Sequence, residues 1–138
     1  MKVSEIMNPD VISVTPQDRV CDIIDLFLEK NITGAPVIDQ GQVTGIISRK
    51  DILPLITTFD LDCSSLEQIR RTCSHSVGDH MRTNVITVTP VEDVEKCALL
   101  MTDNGINRLP VVDDNKLVGI ITRGDILKAL AQCCCCHE

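Results

Sequence analysis

The chain states one pattern twice. Gly45-Ile46-Ile47-Ser48-Arg49-Lys50-Asp51-Ile52-Leu53 returns as Gly119-Ile120-Ile121-Thr122-Arg123-Gly124-Asp125-Ile126-Leu127, 74 positions further on. The same offset carries Val11-Ile12-Ser13-Val14-Thr15-Pro16 onto Val85-Ile86-Thr87-Val88-Thr89-Pro90, and Pro36-Val37-Ile38-Asp39 onto Pro110-Val111-Val112-Asp113. Residues 3–53 and 77–127 are therefore two gapless copies of one unit of roughly fifty residues, and such repetition decides the fold class before any local reading. One copy buries too little apolar surface to be comfortable alone; two packed face to face share a core.

That core has to be aliphatic, because Phe27 and Phe59 are the only aromatic residues in the 138. A net charge of −7 opposes binding to a phosphate backbone, and the want of aromatics removes a stacking platform for single strands. Nucleic acid is excluded as a partner on both grounds. No apolar run approaches the length of a membrane span, and Met1-Lys2-Val3-Ser4-Glu5 lacks the hydrophobic stretch of a signal peptide. These features predict a cytoplasmic protein with no membrane partner, its eight cysteines reduced thiols rather than a disulfide framework.

Within each copy the period of the apolar residues predicts the order β-α-β-β-α. A turn-like opening (Val3 to Met7, Val77 to Met81) leads to a β-rich run, Val11 to Val14 and Val85 to Val88. Thr15-Pro16-Gln17-Asp18 and Thr89-Pro90-Val91-Glu92 read as helix starts, with Thr as N-cap and Pro at the first helical position. Apolar residues at helical spacing follow: Val20, Ile23, Ile24, Phe27 and Leu28, then Val94, Cys97, Ala98, Leu100 and Met101. Asn31 and Gly105 fall where a left-handed residue ends a helix. Two strands joined by an Asp turn come next, Ala35–Ile38 with Val43–Ile47 and Leu109–Val112 with Leu117–Ile121, and a second helix begins at Ser48 and Thr122. Pro54 is expected to disturb the first of these last helices. The boundaries are residues 1–58 for the first repeat, 59–76 for a connecting segment with a short helix over 65–71, 77–132 for the second repeat and 133–138 for a cysteine-rich tail.

Two such copies, each ending in Gly-aliphatic-aliphatic-Ser/Thr-x-x-Asp-Ile-Leu, resemble a tandem pair of CBS domains, a free-standing Bateman module. The resemblance implies an α/β (α+β) fold in which two β-α-β-β-α repeats pack with pseudo-twofold symmetry. It implies a regulatory module rather than an enzyme, with no obligatory cofactor, that senses AMP, ADP, ATP or S-adenosylmethionine in clefts between the repeats and signals to a regulated protein partner. In nucleotide-binding members the Asp of the terminal motif holds the ribose hydroxyls and the Ser/Thr three residues earlier meets phosphate. Those positions are Asp125 with Thr122, and Asp51 with Ser48.

The chemistry is suited to that role: a carboxylate accepts from two hydroxyls at once, and a helix start offers free N–H groups to an anion. Ser/Thr-x-x-Asp is equally the form of a plain capping box, and both roles can hold together. Ile106-Asn107-Arg108-Leu109 is similar to the segment by which the gamma subunit of AMP-activated protein kinase meets phosphate, which makes Arg108 the candidate phosphate contact; its counterpart is Gly34. By the same resemblance the cleft of Asp125 takes adenine contacts from Ile12, Ile32 and Thr33. The cleft of Asp51 takes them from Ile86, Ile106 and Asn107, with Lys50 as a substitute cation. The resemblance also implies a homodimer through exposed helix faces.

Two readings from other classes stand beside this one. The tail Cys133-Cys134-Cys135-Cys136-His137-Glu138 offers thiolates and an imidazole to a soft metal, with Cys133, Cys136 and His137 as candidates, and so suggests a metal or redox sensor. Cys63, Cys73, His75 and His80 add further ligand types at no diagnostic spacing, and His80 breaks the apolar pattern set by Ile6. A structural dimerisation module with empty clefts is the third reading. No nucleophile with a matched base, NTPase phosphate loop or paired catalytic carboxylates stands in the sequence.

Overall fold

A computed structural model describes residues 1–57 and 74–135. The connecting helix expected over 65–71, Phe59, Cys63, Cys73, Cys136 and His137 lie outside the described residues. The elements in order are α1 (Val3–Ile6), α2 (Val20–Lys30), β1 (Gly34–Asp39), β2 (Gln42–Ser48), α3 (Arg49–Thr57), a 3₁₀ turn (Val77–Asp79), α4 (Val94–Asn104), β3 (Arg108–Asp113), β4 (Lys116–Thr122) and α5 (Arg123–Cys135).

β1 pairs antiparallel with β2, and β3 with β4, each with a register shift at the matching place, Val37/Ile38 and Val111/Val112. The hairpins close over Gln40-Gly41 and Asp114-Asn115, four residues that all have positive φ. Two consecutive left-handed residues give the turn whose twist matches that of the flanking strands. The predicted first strand of each copy contracts to one parallel bridge, Val14 to Val37 and Val88 to Val111. Each bridge is secured by paired backbone bonds, Val14 N–H to Pro36 O and Ile38 N–H to Val14 O in the first copy.

The helix starts fall one turn later than the Thr-Pro pattern predicts. Asp18 accepts from the Thr15 backbone N–H at 2.8 Å, which makes Thr15–Asp18 a closed turn instead of a first helical turn. Arg19 and Asp93 then adopt extended backbone, φ −86°, ψ 146° and φ −76°, ψ 138°, and serve as N-caps without a side-chain bond. The cause is tertiary. Val20 donates to His75 O and Val77 to Asp18 O, while Val94 donates to Met1 O and Val3 to Glu92 O. Pairing with a distant segment pulls the backbone straight where local sequence alone would start the helix.

Both helices end as their spacing predicts, in left-handed Asn31 (φ 53°) and Gly105 (φ 62°). Pro54 sits inside α3, which nevertheless runs from Arg49 to Thr57. Its missing N–H removes one bond, to the Lys50 carbonyl, and the helix persists through it.

The chain divides into two compact units, and they are not the two sequence repeats. One unit is Ile12–Val85; the other joins Met1–Val11 to Ile86–Glu138. The openings of the two copies have changed places. Val3 is buried in the core of the second copy with Val88, Val94, Cys97, Met101, Leu109, Val111, Ile121 and Ile126. Val77 is buried in the core of the first with Val14, Val20, Ile23, Phe27, Ala35, Val37, Ile47 and Ile52. Every member of one core is the repeat counterpart of a member of the other. Where the residues differ they compensate: Ile23 and Phe27 face Ala35, whereas the smaller Cys97 and Met101 accompany Leu109.

Of the apolar residues expected on α2, Leu28 instead lies 76% exposed. Cys97 is buried as expected, and burial pushes its thiol above the ordinary value. The expectation that the cysteines are reduced thiols fails at Cys21, which is disulfide-bonded.

Candidate functional site

Each unit carries one strand-to-helix passage built from the terminal motif. In the unit of Ile12–Val85, Ser48 ends β2 and Asp51 lies in the first turn of α3. The Ser48 backbone N–H and hydroxyl both donate to Asp51 Oδ2, at 2.8 and 3.1 Å. In the other unit Thr122 ends β4, and its N–H and hydroxyl donate to Asp125 Oδ2 at 2.8 and 2.9 Å, while Asp125 N–H donates back to Thr122 Oγ1 at 3.3 Å. The capping role foreseen for these residues is thus present in both copies, and it consumes one carboxylate oxygen in each.

A second bond ties each passage to the start of its hairpin. Arg49 N–H donates to Thr33 O, and Arg123 N–H to Asn107 O, both at 3.0 Å. Gly34 pairs with Ser48 and Arg108 with Thr122 in the strand register. The predicted residues therefore gather by unit. Ile32, Thr33, Ser48, Lys50 and Asp51 surround one passage; Ile106, Asn107, Arg108, Thr122 and Asp125 surround the other. Ile12 and Ile86 are half-buried, each two residues before the bridging valine of its own unit.

The other oxygen of each carboxylate separates the two sites. Arg82 Nε donates to Asp51 Oδ1 at 3.2 Å, and the Asp51 side chain is 9% exposed against 56% for Arg82. At Asp125 no donor among the described residues reaches Oδ1. Asn8, the counterpart of Arg82, turns its side-chain oxygen onto the backbone two residues on, accepting from Asp10 N–H at 3.0 Å. Arg82 escaped the sequence reading because it belongs to the opening of the second copy and reaches Asp51 only through the exchange of segments. The motif glycines carry a trace of it. A Cβ on Gly45 would stand 2.9 Å from Arg82 O, and one on Gly119 3.2 Å from Asn8 O. These glycines are where the exchanged segments lie against the hairpins.

His80 is half-buried, its Nε2 2.7 Å from His75 Nδ1 with the rings stacked. Among the described residues no three His, Cys, Asp or Glu side chains form a metal-binding group. Cys133 and Cys134 are exposed thiols in the last turns of α5, and no described helix is long and apolar enough to cross a membrane.

The family profile of the CBS domain matches residues 3–57 and 77–132. The chain belongs to the CBS domain family. Uncharacterized protein MJ1426 of Methanocaldococcus jannaschii is 33% identical over 94% of this chain and 91% of its own length. CBSX2, a chloroplastic CBS domain-containing protein of Arabidopsis thaliana, is 34% identical over 86% of the chain, which spans 58% of that protein. The fold is similar to the crystal structure of CBSX2 in complex with AMP, with a TM-score of 0.81 at 34% identity over 95% of this chain and 97% of that one. It is also similar to the CBS domain pair of protein MJ0100 in complex with 5′-methylthioadenosine and S-adenosyl-L-methionine, with a TM-score of 0.80 at 25% identity over 96% and 97%.

Proposed function

We propose that this CBS-domain chain is a regulatory module, not a catalyst, that binds an adenosine compound through the carboxylate of Asp125. The observation that carries the reading is the state of that carboxylate. Thr122 fixes Oδ2, so the group is already oriented, while Oδ1 has no donor among the described residues. An oriented carboxylate with acceptor capacity to spare is what a pair of ribose hydroxyls requires. The first turn of α5 presents N–H groups to a phosphate, and Arg108 stands opposite Thr122 on the adjoining strand. Within the same unit, the half-buried aliphatic side chains of Ile86 and Ile106 supply apolar surface for adenine. CBSX2 with AMP and the MJ0100 pair with 5′-methylthioadenosine and S-adenosylmethionine support the same ligand class.

Binding shifts the population of conformations and so alters a surface offered to a regulated protein. A second copy of the chain covers the exposed leucines of the helices, Leu99 and Leu130 among them. The test is thermal unfolding with AMP, ADP, ATP and S-adenosylmethionine. A ligand at about a hundred times its dissociation constant adds roughly 2.7 kcal/mol. One of the four raises the midpoint by several degrees, and Asp125→Ala loses the rise. If none moves it, the reading is wrong.

The disulfide of Cys21 and the exposed thiols of Cys133 and Cys134 favour a second reading, a thiol-based sensor. A response to zinc or oxidant that disappears when residues 133–138 are removed, with no response to any nucleotide, would select it.

A further inference from the structure

We infer that Arg82 is a built-in competitor at the Asp51 site, so that the chain takes its first adenosine ligand at Asp125 and admits a second only when Arg82 moves away. The inference rests on the reading of these aspartates as ribose acceptors. The two aspartates differ in the acceptor sites they have left. A carboxylate has about four lone-pair positions, two on each oxygen. At both aspartates Oδ2 already accepts twice, from the N–H and the hydroxyl of the capping residue. Asp125 keeps both positions on Oδ1, one for each ribose hydroxyl. Asp51 has given one of its two to Arg82.

Charge acts in the same direction. The guanidinium lies 3.2 Å from an oxygen of a side chain that is 9% exposed, where a charge-assisted bond is screened less than at the surface. An incoming ribose must displace a cation and supply only neutral donors in its place. The arginine is also well anchored. Its backbone N–H donates to Ile46 O and its carbonyl accepts from Ile46 N–H, both at 2.9 Å, so the side chain alone can leave while its base stays beside the site. Among the described residues no donor equivalent to Arg82 reaches Asp125 Oδ1; Asn8 makes the same backbone pairing with Ile120 but spends its side chain on Asp10 N–H. The two sites share a capping box and a fold; Arg82 at one and Asn8 at the other set their carboxylates apart, beside the strand difference of Gly34 against Arg108.

The repeat itself supplies the variants. Arg82→Asn places at the Asp51 site the residue type that stands beside Asp125, and Asn8→Arg does the reverse. Calorimetric titration of the full chain with AMP, and in parallel with S-adenosylmethionine, reads stoichiometry and affinity. The wild type is expected to bind one molecule per chain, with a second event weaker by roughly tenfold or absent. Arg82→Asn should strengthen that second event roughly tenfold, and Asn8→Arg should weaken the first.

Arg82→Gln, which ends the side chain at the level of Nε and removes the charge, should behave as Arg82→Asn does. This guards against a folding defect in one variant, with circular dichroism as the check. If the wild type binds and the Arg82 variants leave the isotherm unchanged, the competitor role is overturned and the function proposed above stands. Two equal sites in the wild type overturn it as well. If neither probe binds any of the proteins, both fall together.

Discussion

At the scale of single residues, the two motif glycines are equivalent in sequence and unequal in surroundings. A Cβ on Gly45 would lie 2.6 Å from Met81 Sδ and 2.9 Å from Arg82 O, whereas on Gly119 the contacts are Met7 Sδ at 2.6 Å and Asn8 O at 3.2 Å. A thioether tip can swing aside; a backbone oxygen held by paired hydrogen bonds cannot. Gly45→Ala should therefore destabilise the chain by about 1–3 kcal/mol, the usual range for overpacking, and Gly119→Ala by less. Urea unfolding of the two variants gives the comparison, and equal losses would contradict it.

Cysteines divide by the same kind of argument. Burial raises the Cys97 thiol, and alkylation needs the thiolate. In the native protein iodoacetamide should mark Cys133 and Cys134 quickly and Cys97 only after denaturant is added, as peptide mapping would show. Asp51 and Asp125 were legible from the motif because a capping box has a fixed local spacing. Arg82 was not, because its partner is set by which segment docks where.

At the scale of elements, the short helix α1 and the 3₁₀ turn at Val77 are small, yet each completes a core that its own repeat does not supply. Val3→Ala removes two buried carbons at roughly 0.8 kcal/mol each plus a cavity cost, about 2 kcal/mol in all. Its loss should be felt in the second copy, as faster hydrogen exchange of β3 and β4 with β1 and β2 unchanged. The same docking is secured by the ion pair of Lys2 Nζ with Asp93 Oδ1 at 2.8 Å.

That hydrogen bond holds the Asp93 carboxyl below its usual range and raises the Lys2 ammonium. For a depressed carboxyl the contribution is present above its unfolded value and lost as pH falls through the folded one. For a raised ammonium it is present below the unfolded value and lost only in strong alkali. Lys2→Gln should lower the midpoint slightly at pH 7 and low salt, and the difference from wild type should vanish as the pH falls below the ordinary carboxylate range. A difference that grows in acid would rule this account out. The hairpins, both left-handed helix ends and the second helices were legible because periodicity and turn chemistry act within ten residues. The delayed starts of α2 and α4 were not, since a bond from residue 75 or residue 1 decides them.

At the scale of the whole molecule, exchange of the openings could not have been read from the sequence at all. Val3 and Val77 are the same residue, Met7 and Met81 likewise, and either opening would fill either core. A repeat whose buried residues match is silent about which copy its ends join. The proposed homodimer belongs to this scale too. Leu99→Glu combined with Leu130→Glu places charge on helix faces that are now apolar and exposed. Sedimentation should show a dimer for the wild type and a monomer for the double variant, and a wild-type monomer would remove the dimer from the proposal.

The exchange also orders events in time while the chain is being made. The unit of residues 12–85 is complete in one continuous stretch and can close as soon as its last strand contact at Arg82 has left the ribosome. Residues 1–11 are synthesised well before the hairpin that receives them, which ends at Thr122, and so dock late. Contacts so distant in sequence form slowly. Until that hairpin is made residues 1–11 stay unpaired, and the core around Val3 closes only when the chain folds back onto them.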